Sequence, residues 1–220
     1  MIGNLIHHEK RVLDPMERVS EVLFALIMVL TFTCSFGVAG AGRDDVRTML
    51  VGALGCNLAW GIIDAVFYLM GCFSARGRAI LNLAAVQNAS SPSEAHRAIS
   101  KALPPVLVSV LSHSDLETMR QRLNEIHSIP KKPWLNQREW LGALAVFLIV
   151  FLCTVPVISP FVLISNARIA LRTSNLVAII MLLIAGYIFG KYAGHRPWTM
   201  AVGMVLLGGS MVAITVLLGG

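Results

Sequence analysis

The stretch Val51–Phe73, VGALGCNLAWGIIDAVFYLMGCF, constrains the fold of this chain more than any other. It exceeds the ~20 mostly apolar residues that a helix needs to cross a bilayer. It also carries a carboxylate, Asp64, near its middle and an amide, Asn57, two turns earlier. At roughly 100° per residue, Asn57, Trp60, Gly61, Asp64, Tyr68 and Gly71 share one side of the helix. A carboxylate at the centre of a membrane helix costs roughly 2.5–3.5 kcal/mol on insertion scales, so it faces protein or water rather than lipid. Two readings follow. Asp64 is a functional ionisable group, or Asp64 and Asn57 form a hydrogen-bonded clasp between helices.

Composition agrees with a membrane protein. Of 220 residues, 56% are hydrophobic and only 14% are charged, against about one-quarter charged in soluble domains. The formal charge of +6 is unevenly spread. Between Ser74 and Arg138 stand nine Lys/Arg and four Asp/Glu, which reads as a cytoplasmic segment between spans. No interleaving of aromatic and basic residues points to nucleic acid. Cys34, Cys56, Cys72 and Cys153 all lie within or beside apolar runs without a C-x-x-C pair, and read as small buried hydrophobes. Residues 1–18 are polar and charged, so no cleavable leader is read there, and His7-His8 lacks further metal ligands.

Five spans follow in order. Asp14-Pro15-Met16-Glu17 offers an N-cap, a proline at the first helical position and a glutamate at N3, starting a helix that extends to about Ala41. Glu17, Glu21, Met28 and Ser35 share one of its faces. Glu17 belongs in the headgroup zone. Glu21 lies a turn deeper, and with the Met28 thioether it could pass a divalent cation along the face, oxygen suiting harder ions and sulfur softer ones. The charge-balanced turn Gly40–Arg47 makes the first two helices a hairpin.

The polar segment Ser74–Arg138 reads as a small bundle of short helices. Ser91-Pro92-Ser93-Glu94 and Ser114-Asp115-Leu116-Glu117 are capping boxes, and Pro104-Pro105 sets VLVSVL apart. His96, His113 and His127 are scattered through it.

The third span, Trp140–Ile164, is flanked by Trp134 and Trp140 as interface anchors. Pro156 and Pro160 lie one turn apart within it, so the helix kinks or unwinds there, and the freed carbonyls must be buried or line a cavity. Ser165–Asn175 reads as a turn carrying Arg168 and Arg172. The fourth span, Leu176 to about Tyr192, ends in a row of glycines at 186, 190 and 194, a spacing that lets helices approach backbone to backbone. Pro197-Trp198 opens a fifth span without an ionisable side chain. Placing the N-terminus inside puts 14 Lys/Arg in the cytoplasm and leaves four outside (Arg43, Arg47, Arg168, Arg172), which orients the chain.

These features together resemble the vacuolar iron transporter family. TVPVISPF (Thr154–Phe161), the basic turn NARIALR (Asn166–Arg172), a glycine-spaced fourth span and a glycine-containing fifth follow in that family's order. The similarity is clearest over Trp140–Gly220 and rests on topology before it. It implies a dimer that exchanges ferrous iron or manganese for protons, with the proline-rich third span bordering the path. Pro156 and Pro160 are the matching positions. Two departures stand out. The first span has Glu21 in ERVSEVLF where the family has an aspartate-glycine motif, and the insert is basic where the family's metal-binding insert is glutamate-rich.

The expectation is therefore an all-α integral membrane protein with five transmembrane helices. Its parts are a tail (1–18), spans one and two (19–73), a helical cytoplasmic insert (74–138) and spans three to five (139–220). It would exchange a divalent cation, iron or manganese, for protons as a homodimer in the bilayer, with no resident cofactor. Path candidates are Glu21, Met28, Asn57, Asp64, Tyr68, Pro156 and Pro160, with Asp64 and Glu21 as metal ligands. The alternative is a non-transporting membrane scaffold that docks through its basic insert. No nucleophile–base pair, phosphate loop or ligand cluster points to an enzyme.

Overall fold

The computed structural model describes residues 15–35, 43–126 and 132–217. Every regular element among them is a helix: α1 (Pro15–Ser35), α2 (Arg43–Gln87), α3 (Pro92–Ala102), α4 (Pro105–Val110), α5 (His113–Asn124), α6 (Gln137–Leu152), α7 (Val155–Leu163), α8 (Ala167–Tyr192) and α9 (Pro197–Leu217). Two compact units result. The first comprises the described residues of Lys10–Tyr68 and Arg138–Gly220, the second those of Leu69–Gln137.

Among the described residues, four stretches are long and apolar enough to cross a membrane: Asp45–Gln87, Gln137–Leu163, Ala167–Tyr192 and Pro197–Ile214. A fifth apolar stretch, Val19–Thr31, is shorter than a span by itself. It lies within α1, whose 21 residues rise about 31 Å at 1.5 Å each. The all-α membrane class expected from the sequence is therefore present, with four stretches of spanning length among the described residues and the apolar part of α1 as the shorter fifth. The expected N-cap Asp14, the tail histidines, the glycines of the first turn and His127 lie outside the described residues.

Four helices of the first unit share one core with α2. Leu26, Val29 and Leu30 of α1 pack on Val157 and Ile158 of α7 and on Ala178 and Leu182 of α8. Leu50 and Leu54 of α2 and Val205 and Val212 of α9 close around them. Met49, Phe161 and Ala170 form a second cluster joining α2, α7 and α8. Large apolar side chains such as Leu144, Leu148, Ile180, Ile184, Val202 and Leu206 stay exposed, as lipid-facing positions should.

The third span breaks as its prolines require. Helix α6 stops at Leu152, Cys153 and Thr154 form a turn, and α7 resumes at Val155. Pro160 removes the donor that would bond the Pro156 carbonyl, and Ser159 Oγ donates to that oxygen instead at 2.9 Å. Buried Ser174 of α8 donates to the Val157 carbonyl at 2.6 Å, tying α8 to the broken segment.

Two expectations for the last spans change. Ser165–Asn175 is not a turn, because the Asn166 side chain accepts from the N–H groups of Arg168 and Ile169 and starts α8 at once. The glycine row is used within the chain. A Cβ on Gly186 would lie 2.7 Å from the Ala201 Cα, and one on Gly190 would lie 2.8 Å from the Pro197 Cα. Gly194 (φ 69°) ends α8, with the His195 N–H reaching the Gly190 carbonyl at 3.0 Å, and Pro197 opens α9. These glycines serve the α8–α9 hairpin, so they do not argue for a dimer.

In the second unit, α2 does not end at Phe73 but continues to Gln87. The segment SARGRAILNLAAVQ contains no proline, and its single glycine costs only about 1 kcal/mol relative to alanine. Val86, Ala95 and Ile99 form the core, with Leu116, Met119 and Leu123 of α5 packed against them. Ser91 caps α3, with Pro92 at N1, as the sequence predicts. The α5 capping box is shifted: Ser112 and Asp115 form it, not Ser114 and Glu117.

That shift leaves Glu117 available to α3. Glu117 accepts from Arg120 and lies 2.9 Å from Nε2 of buried His96, whose ring meets His113 edge-on at 4.6 Å. The Arg120 guanidinium first, and then His96, hold the Glu117 carboxyl down to about 2 from an ordinary 4.5. A depressed acid contributes stability above its unfolded pKa and loses it as pH falls through the folded one. Amide-exchange protection of α3 and α5 should therefore decline as pH drops from 4.5 toward about 2. Glu117→Gln should flatten that decline and lower protection at neutral pH. Equal profiles in variant and wild type would show that the contact does not hold α3 on α5.

Candidate functional site

The buried side of α2 passes along α6. At Gly61 the Phe147 ring approaches to 3.0 Å of where a Cβ would stand, and the Tyr68 ring lies on Gly142. Asp64 sits on the same side between these contacts, half-buried. Asn57 is fully buried, and so is Gly61, whereas Trp60 and Gly71 are exposed at the edge of the face.

Among the described residues, neither polar side chain clasps another helix: Asn57 Nδ2 donates to the Ala53 carbonyl of its own helix at 3.1 Å, and the buried Asn57 Oδ1 has no hydrogen-bond partner there. Asp64 has no hydrogen bond or ion pair among the described residues. A buried amide oxygen that meets no donor costs about 1–3 kcal/mol, so one without a protein partner among the described residues requires an explanation.

Met28 of α1 meets α2 at Cys56, whose thiol lies 3.2 Å from the Met28 sulfur. The residues between Ser35 and Arg43 are too few to carry the chain back along α2, so α1 and α2 run antiparallel. Glu21 lies seven residues back along α1 from this contact, and Asp64 eight residues onward along α2. Glu21 is half-buried and engages a neighbour.

The second helix meets α6 at Gly61 and Phe147, and joins α7 in the cluster of Met49 and Phe161.

The prolines divide. Pro160 is buried, whereas Pro156 is exposed, so the break matters here more through its backbone than through the Pro156 ring. Cys56 is the residue that sequence reasoning missed. Its signal was available, since folding the hairpin about Gly40–Arg47 brings Met28 within about a turn of it. No three His, Cys, Asp or Glu side chains converge on a metal-sized site among the described residues.

Helices long enough to span a membrane, polar side chains on their inner faces and a broken third span define a multi-pass membrane protein with polar groups at membrane depth. A family model, described as the VIT family, matches residues 91–220, more than half of the chain. The chain belongs to the VIT family, whose members are membrane metal transporters rather than enzymes. No curated protein sequence matches it.

Proposed function

We propose that this protein carries a divalent cation, iron or manganese, across the membrane in exchange for protons. The observation that carries the reading is the buried Asn57 Oδ1, which meets no protein donor among the described residues. An acceptor left unmet in a core is what a passing cation satisfies, and the carboxylates of Asp64 and Glu21 supply the charge. Asp64 and Glu21 act as exchange ligands, binding either a proton or the metal. Met28, Cys56 and Asn57 provide a softer station beside the unwound third span, with Tyr68 lining the way. Pro156 and Pro160 keep that span broken.

The excess of Lys/Arg on one side supports an N-terminus and insert in the cytoplasm, with α1 as the fifth span. The homodimer rests on family resemblance alone. The bond of Asn57 to the Ala53 carbonyl of its own helix favours the transport reading over a scaffold built on an Asp64–Asn57 clasp.

Reconstituted vesicles test the reading. Ferrous iron or manganese should enter down an imposed gradient while an entrapped pH dye reports protons leaving. Vesicles that take up neither ion above the protein-free background would refute it.

A further inference from the structure

We propose that α4 is a lipid anchor, docking the second unit on an anionic bilayer surface. The core of the unit does not use it. Its core is closed by Val86, Ala95 and Ile99 with Leu116, Met119 and Leu123, and α4 has no buried residue. Val106 is 75% exposed, Leu107 49% and Val110 74%. A six-residue helix carrying that much apolar surface is marginal in water and needs an apolar medium to hold it.

Its chemistry suits a headgroup boundary. Residues 102–114 contain no Asp, Glu, Lys or Arg. The single polar side chain of the helix, Ser109, donates to the Val106 carbonyl at 2.8 Å, so no side chain on α4 demands water. Arg97 and Lys101 stand exposed with Glu94 on the side of α3 away from Ala95 and Ile99 and lead directly into it, the Glu94 carboxylate accepting from the Ser90 N–H at the start of the helix. Apolar side chains beside a basic stripe are how an interfacial helix binds anionic lipid.

Charge selects lipid over a second copy. Nine basic and four acidic residues between Ser74 and Arg138 leave a formal surplus of five. Two such segments repel each other, whereas an anionic leaflet attracts each. The proposal is independent of whether the chain transports a metal.

The test uses the full chain, cleared of its native cysteines and reconstituted in nanodiscs. An environment-sensitive fluorophore is placed at Val106→Cys, with Asn124→Cys on α5 as the control position. In discs containing phosphatidylserine and brominated lipid, the probe at 106 should shift blue and be quenched, while that at 124 stays wet. In pure phosphatidylcholine the signal at 106 should largely disappear. Arg97→Gln and Lys101→Gln should each lower the docked-to-undocked ratio roughly fivefold, the equivalent of about 1 kcal/mol per basic residue near the surface. Three results would overturn the proposal: a probe at 106 as wet as that at 124, equal quenching in both lipids, or Val110→Cys crosslinking two copies in place of quenching.

Discussion

Replacing Asp64 by asparagine is expected to reduce metal-driven proton movement to the level of protein-free vesicles while the fold survives. The carboxylate lies half-buried between the Gly61–Phe147 and Tyr68–Gly142 contacts, with no bonded partner among the described residues. No contact is lost when it becomes an amide. A neutral amide at membrane depth is also less costly than a carboxylate, so folding should not suffer. What the amide cannot do is release a proton. Proton and cation compete for one carboxylate in the proposed exchange, so metal binding releases protons and tightens with rising pH over the range in which that group titrates. The check is paired: metal uptake and proton release in vesicles, with thermal stability of the purified variant. Normal transport by a folded Asp64→Asn variant would remove Asp64 from the exchange site. A wild type that moves no cation would remove the transport reading altogether.

The largest loss of stability is expected from Gly186→Leu. A Cβ there would lie 2.7 Å from both the Ala201 Cα and the Met200 carbonyl oxygen. These are backbone atoms of α9, so relief requires moving a helix rather than turning a side chain. Overpacking typically costs about 1–3 kcal/mol, and a rigid neighbour places this case at the upper end or beyond. The expected outcome is a clear drop in the melting temperature of the detergent-solubilised protein, with α8 and α9 becoming exposed to protease. Gly209→Leu is the matched control, since a Cβ at Gly209 meets nothing within 4 Å. Equal melting of the two variants would show that the α8–α9 approach is not close in the folded protein.

Much of this protein was legible in its sequence, because local physics determined it. Apolar length specified membrane helices, Pro156 and Pro160 specified a break, and Ser91-Pro92-Ser93-Glu94 specified the start of α3. Each depends on a few neighbouring residues, or on water and lipid, and not on the rest of the fold. Competition between similar local signals was harder to read. Ser112–Asp115 and Ser114–Glu117 have the same capping spacing, and the contact of Glu117 with His96 on another helix goes with the first. Asn166 caps α8 where basic residues read as a turn.

Pairing between helices belonged to the tertiary structure alone. The row of 186, 190 and 194 states that some backbone comes close, but not which one, and here it is α9 of the same chain. Helical angles group Asn57, Gly61, Asp64 and Tyr68, yet only packing shows that α6 covers this side and that Trp60 remains exposed. Met28 beside Cys56 required two helices to be set in register, which no window along the chain contains. Periodicity tells a residue which side of its helix it occupies. The partner on that side is decided by the sum of many weak contacts over the whole unit, and a single sequence read locally does not hold that sum.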